Sequence, residues 1–88
     1  MREPNNTQFE LSPLFVNGYE ILPQSIQKKV DRHLGYLAQD IAYPGLRARK
    51  MADRDGIWEA RVDRRYRFTF ELSQGIIHLR AVGTHDIY

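Results

Sequence analysis

Two periodicities divide the chain. From Pro23 to about Asp40 the apolar residues Ile26, Val30, Leu34, Leu37 and Ile41 step by four, four, three and four. That spacing predicts one buried stripe on a helix, with Lys28, Lys29, Asp31 and Arg32 toward solvent. Ahead of it, Ser12-Pro13 is a helix start, a capping hydroxyl followed by a proline whose missing N–H had no partner in a first turn. Leu14, Phe15, Gly18, Tyr19 and Leu22 then share a face, and Gly18 weakens this shorter helix. Pro23 separates the two helices with almost no loop, and Tyr43-Pro44-Gly45 ends the pair.

Alternation marks the strands. Gln8–Leu11 puts Phe9 and Leu11 on one side. Ile57–Val62 aligns Trp58, Ala60 and Val62 against Ile57, Glu59 and Arg61. Tyr66, Phe68, Phe70 and Leu72 oppose Arg67, Thr69 and Glu71. In Ile76–Val82, Ile77, Leu79 and Ala81 are expected inward and His78 and Arg80 outward. Asp55-Gly56, Asp63–Arg65 and Ser73-Gln74-Gly75 are the turns, the last read as a three-residue hairpin loop. The order β-α-α-β-β-β predicts an α+β fold: a small antiparallel sheet packed against an N-terminal helical hairpin. Glu59, Arg61, Arg67, Thr69, His78 and Arg80 share the polar sheet face.

At 88 residues, with 42% hydrophobic and 27% charged side chains, the chain is expected to be one globular domain over 1–88, with residues 1–7 frayed. A core this thin leaves no room for a deep enclosed cavity, so a site would be an open surface patch. The absence of cysteine excludes disulfides, thiolate metal sites and thiol nucleophiles. His33, His78 and His85 lack metal-motif spacing, so neither metal nor other cofactor is expected. No apolar run approaches the ~20 residues that span a bilayer, and the polar start lacks a secretory h-region. No membrane association and a cytoplasmic location are expected.

The net charge of +2 conceals a gradient. Residues 1–45 hold four basic and five acidic side chains, and residues 46–88 hold nine and six. Seven arginines and one lysine fall between Leu46 and Arg67. Arginine suits planar contact with phosphate or carboxylate. Arg61 and Arg67 lie on neighbouring strands and repel unless an anion sits between them. Glu59 can be that anion, in a surface ion-pair network, or a phosphodiester can, in a clamp that stabilises charge in phosphoryl transfer. Arg80 and the Arg47–Arg49–Lys50 cluster can extend a track for nucleic acid, and Tyr66 can offer a stacking ring at the rim. His85, in a Gly-Thr-His-Asp loop, either serves as a general acid or base, with Asp86 to orient it, or simply packs at the sheet end. Trp58 reads as core.

Several segments together resemble the RelE/ParE superfamily, the small toxins of bacterial type II toxin–antitoxin pairs. They are Pro44-Gly45-Leu46-Arg47, Gly56-Ile57-Trp58-Glu59-Ala60-Arg61-Val62, Tyr66-Arg67-Phe68-Thr69-Phe70 and Val82-Gly83-Thr84-His85-Asp86, with the Leu22-Pro23 helix junction. The resemblance runs from about Phe9 to Asp86. It implies a RelE-like fold and a metal-independent, ribosome-dependent mRNA endonuclease, in which a ribose 2′-OH attacks the adjacent phosphate. Arg67 matches the family's sheet-face stabiliser, Arg61 a basic position on the preceding strand, and His85 a basic or histidine position after the last strand. Arg47, Arg49, Lys50, Tyr66 and Arg80 would bind RNA. The implied partners are a cognate antitoxin, the ribosome and mRNA; direct DNA binding by this chain is not expected. Glu59 departs from the pattern, since RelE-like nucleases can place a second strand lysine there, and the functional aromatic of a longer C-terminal segment is either Tyr88 or absent. The scaffold is shared with ParE-like toxins, which poison DNA gyrase without nuclease chemistry, and a decayed toxin that acts only as a binding module is a third reading.

Overall fold

Ser12 sets the entry of the chain into its helices. In the computed structural model, which describes residues 8–84, its Oγ accepts a hydrogen bond from the Phe15 N–H at 3.0 Å and donates one to the Arg80 carbonyl at 2.7 Å. One hydroxyl thus caps helix α1 (Pro13–Glu20) and ties it to the final strand. Gly18 explains itself in the same contact. A Cβ there would stand 2.7 Å from the Val82 carbonyl oxygen, so only glycine lets α1 lie this close to the sheet.

After Pro23, helix α2 (Gln24–Gln39) turns its stripe inward. Val30 and Leu37 are buried, and Ile26, Leu34 and Ile41 pack half-buried against the core. Beyond it, Tyr43 stacks on Tyr36 with ring centroids 4.1 Å apart. A 3-10 turn at Pro44–Leu46 then drops Leu46 into the core.

Five strands form one sheet: β1 (Gln8–Leu11), β2 (Arg49–Lys50), β3 (Trp58–Arg61), β4 (Arg67–Ser73) and β5 (Ile76–Gly83), in the order β1-β5-β4-β3-β2. The α+β expectation holds, with two refinements. β1 pairs with β5 in parallel, Gln8 opposite Ile76 and Leu11 opposite Leu79, so the sheet is mixed rather than wholly antiparallel. The helical hairpin returns the chain to the sheet after β1, which frees the first and last strands to run side by side. The second refinement is β2, two residues pairing antiparallel with β3 inside the basic segment.

Phe68, Phe70, Ala60, Ile77, Leu79 and Val82 join Phe15, Val30, Leu37 and Leu46 in the core. Val82 rather than Ala81 faces inward, a correction to the alternation read from the sequence. The ladder shifts between Thr69 and Phe70: Thr69 pairs with Ala81, and Phe70 with Leu79. Arg80 is therefore the extra residue of a bulge, which inverts the facing of everything after it. The β4–β5 loop also differs, because Ser73 pairs with Ile76 and leaves two loop residues rather than three. Gln74 (φ 52°) and Gly75 (φ 81°) are both left-handed, as a type I′ turn requires. The expected fraying of residues 1–7 and the candidate His85, with Asp86 and Tyr88, lie outside the described residues. No helix among the described residues is long and apolar enough to cross a membrane. No cluster of three or more His, Cys, Asp or Glu among them could hold a metal ion.

Candidate functional site

The register of three strands assembles the basic residues. Across β3 and β4, Arg61 faces Arg67 and Glu59 faces Thr69, while Arg49 on β2 faces Glu59. The core residues Trp58, Ala60, Phe68 and Phe70 occupy the alternate positions, so these polar side chains share the opposite sheet face. Arg47 joins from the end of the 3-10 turn, where its left-handed backbone (φ 48°) turns the chain toward β2. Arg47, Arg49, Glu59, Arg61 and Arg67 together line an open hollow of about 300 Å³.

Glu59 organises this hollow. It is only 4% exposed, and both its oxygens are engaged. Nε of Arg49 donates to Oε1 at 3.2 Å with its Nη2 in ion-pair contact at 3.1 Å, and Nη1 of Arg67 donates to Oε2 at 3.0 Å. Arg67 is itself largely sunk, its side chain 17% exposed, whereas the Arg49 side chain is 74% exposed. The Nε of Arg67 and the Oγ1 of Thr69 are buried without a hydrogen-bond partner among the described residues. Arg61 and Arg47 are exposed and form no ion pair among those residues.

Four guanidiniums around one carboxylate leave the hollow strongly positive. Side chains directly opposite on antiparallel strands have Cβ atoms about 5 Å apart. Long side chains of like charge on such a pair repel each other. Glu59 relieves this at Arg67 but leaves Arg61 without a counter-ion among the described residues. A phosphate drawn into the hollow would find Arg61 and Arg47 unengaged and Arg49 on a weak, solvent-exposed tether.

The turn after β3 is braced by Asp63. Its Oδ1 accepts from the N–H groups of Arg65 and Tyr66 at 2.9 Å each, and its Oδ2 from Lys29 Nζ of α2 at 3.2 Å. Partial burial pushes the carboxyl pKa up, but the two backbone donors and the Lys29 ammonium outweigh it and hold it below the usual aspartate range. Between the two helices, Tyr19 donates to Asp31 at 2.7 Å. That bond, then burial and the Asp31 charge, raises the phenol pKa.

No protein-family model and no curated protein matches the chain. Solved structures do. YoeB from Staphylococcus aureus, solved as a dimer, superposes with a TM-score of 0.76 at 17% identity, covering 90% of this chain and 97% of that one. Archaeal RelE in its complex with RelB from Pyrococcus horikoshii gives 0.75 at 11% identity, covering 93% and 98%. A YoeB/ParE toxin from Agrobacterium tumefaciens gives 0.80 at 13% identity, covering 90% and 99%. The chain has the RelE/ParE toxin fold.

On that RelE/ParE scaffold, the residues read from the sequence fall into three groups. Arg47, Arg49, Arg61 and Arg67 are brought together in the hollow. Arg80 is not: its Nε pairs with Glu71 at 3.3 Å, in a separate depression with Glu10 and His78, where His78 contacts Glu10 at 2.7 Å. Arg80 sits among carboxylates, so the basic track does not extend through it. Lys50 holds its ammonium 5.7 Å from the centre of the Trp58 ring, and Tyr66 is half-buried against the core. His33 bonds to the Lys29 carbonyl and takes no part. The sequence offers Glu59 as the anion between Arg61 and Arg67; it bridges Arg49 and Arg67 instead, a geometry that depends on β2. Asp63 reads from the sequence only as a turn residue. The signal for its bracing role is an Asp that precedes free N–H groups at the start of a hairpin turn.

Proposed function

We propose that this chain is the toxin of a type II toxin–antitoxin pair and that it stops translation by cutting mRNA on the ribosome in the arginine hollow. The reading rests on one observation: Arg61 and Arg67 stand directly opposed across two strands, in a hollow holding four arginines and one carboxylate. In the reaction, the ribose 2′-hydroxyl gives up its proton to water as its oxygen bonds to the adjacent phosphorus, while the bond from phosphorus to the 5′-oxygen breaks. The products are a 2′,3′-cyclic phosphate and a new 5′-hydroxyl. The negative charge that builds on the phosphoryl oxygens is what Arg67 and Arg61 stabilise. Arginine stays protonated at any physiological pH, so both act electrostatically. His85 is the proposed proton donor to the leaving oxygen. Arg47 and Arg49 hold the flanking phosphate backbone; Lys50, opposite Trp58, and Tyr66, packed against the core, lie on the other sheet face and with Arg80 take no part in this reading.

The cognate antitoxin is the partner expected to silence the site. An acidic segment laid over the hollow would supply the carboxylates that Arg47 and Arg61 lack. The toxins on the same fold include YafQ, solved in complex with DinJ, and YoeB, solved in complex with YefM.

One observation favours a second reading. Glu59 already neutralises part of the charge on Arg67, which suits a toxin without nuclease chemistry, such as one that inhibits DNA gyrase. Induction of the chain alone in bacteria, with pulse-labelling by methionine and separately by thymidine, separates the two. An early fall in methionine incorporation that Arg67→Ala abolishes supports the nuclease. An early fall in thymidine with translation intact supports the gyrase reading and refutes the first.

A further inference from the structure

The turn between β3 and β4 carries an unneutralised charge that the hollow does not account for. Arg64 and Arg65 are both exposed, and neither forms an ion pair among the described residues. The turn's own carboxylate cannot serve them. Asp63 is spent on two backbone N–H groups and on Lys29. Val62 and Asp63 both donate backbone hydrogen bonds to the Tyr66 carbonyl, at 2.9 and 3.2 Å. The turn is therefore stiff, pinned to α2, and holds two arginine side chains in water with nothing to bind. Two residues separate Arg64 from Arg61 and one separates Arg65 from Arg67, so both lie within about 10 Å of chain from the hollow.

We infer that this turn is a second phosphate-binding surface, at which Arg64 and Arg65 grip the sugar–phosphate backbone of RNA outside the cutting site. The inference rests on reading the hollow as an RNA site. An acidic peptide is the other polyanion these charges could attract, but a peptide that folds on binding needs apolar anchors. Among the described residues, the large exposed apolar side chains, Leu11, Leu14, Ile21 and Leu72, lie on β1, on α1, just after α1 and toward the far end of β4. In the turn, Val62 is buried and Tyr66 packs against the core. Backbone binding of nucleic acid asks only for fixed positive charge and the release of counter-ions. A stiff turn supplies that at little entropic cost, because only the two side chains remain to be ordered.

The test is a salt titration with an RNA that cannot be cut. A 2′-O-methyl RNA of about 16 nucleotides is bound to the full chain and to the Arg64→Gln/Arg65→Gln variant across a series of salt concentrations. Each phosphate that the protein no longer neutralises lowers the slope of log K against log salt by roughly 0.7 on a single strand. With two arginines removed, the slope is expected to fall by about 1.4. Between 50 and 200 mM salt, wild type then weakens by about sevenfold more than the variant does. Binding of a polyglutamate peptide is expected to weaken less than RNA binding does in the variant. An unchanged RNA slope overturns the inference, as does a wild type that fails to bind RNA. Loss of peptide binding with RNA binding intact overturns it too and points to a protein partner. The probe reads binding whether or not the chain cuts RNA, so the two proposals fail separately. A reduced slope in the turn variant, beside RNA binding unaltered by Arg67→Ala, keeps the turn and sinks the reading of the hollow.

Discussion

Glu59→Ala is expected to cost more stability than any other single change in the hollow. The carboxylate is buried and serves two arginines of very different exposure. Arg49 returns to water when released, and an exposed pair of this kind is worth about 0–1 kcal/mol. Arg67 cannot leave as easily. Its side chain is 17% exposed, its Nε is already buried without a partner among the described residues, and Arg61 stands opposite. Removal of one partner from a buried pair costs about 3–5 kcal/mol, because the other charge stays desolvated. Glu59→Gln keeps an acceptor for Arg67 but not the charge, and is expected to lose about 1.5–3 kcal/mol. Arg49→Ala should fall within about 1 kcal/mol of wild type. The sole tryptophan, Trp58, is stacked on Phe70 beside Glu59, so urea unfolding followed by its fluorescence reads each variant. For a domain of this size, 3 kcal/mol corresponds to a fall in Tm of at least about 12 °C. The double variant Glu59→Ala/Arg67→Met should be more stable than Glu59→Ala alone, since it removes the stranded charge. A Glu59→Ala protein within about 1 kcal/mol of wild type, or a double variant no better than the single, would refute this reasoning and mean that Arg67 is hydrated in solution.

Gly18→Ala should destabilise by about 1–2 kcal/mol, although alanine is the better helix former by about 1 kcal/mol. The clash with the Val82 carbonyl is with backbone and forces α1 off β5; a urea midpoint at or above wild type would contradict it. Gln74→Asn should stabilise by about 0.5 kcal/mol, because asparagine accepts the left-handed position before Gly75 more readily, and the same titration checks it. Asp63 is lowered from 3.8 in the folded chain, so its contribution is fully present above the unfolded value and is lost as pH falls through the folded one. The stability difference between wild type and Asp63→Asn is therefore expected to be constant from about pH 5 to 8 and to shrink below about pH 4. A difference that instead grows as the solution is acidified would reverse the sign of the assigned shift.

Local chemistry carries much of the fold into the sequence. The Ser12-Pro13 start, the stripe from Ile26 to Leu37 and the alternation through Phe68 and Phe70 each act over a few residues, and each is found as read; Ile41 packs on the core from the turn after the helix. What stays hidden depends on partners distant in the chain. Alternation at Gln8–Leu11 marks a strand but carries no sign of its sense, so the parallel pairing with β5 is out of reach. β2 is two residues long and has no period at all. The bulge at Arg80 adds a residue to one strand only, which no pattern within that strand reveals. Gly18 looks like a flaw in a helix because its reason, the Val82 carbonyl, lies 64 residues further on.

The site follows the same division. Arg61 and Arg67 are legible as neighbours because both the alternation and the short turn between them are local. That Glu59 reaches Arg49 needs β2, and that Arg47 turns into the hollow needs the left-handed residue after Leu46. Arg80 shares the polar face as read, but the ion pair with Glu71 and the company of Glu10 take it out of the basic track.

The central claim is that the arginine hollow cuts mRNA. The most direct measurement adds the purified chain to ribosomes translating a defined message and maps the ends that appear, with Arg67→Ala in parallel. The account predicts cuts within the translated region, each leaving a 2′,3′-cyclic phosphate and a 5′-hydroxyl, and none with the folded Arg67→Ala chain. An intact message in the presence of folded wild-type chain, or cuts that persist unchanged in Arg67→Ala, would contradict it.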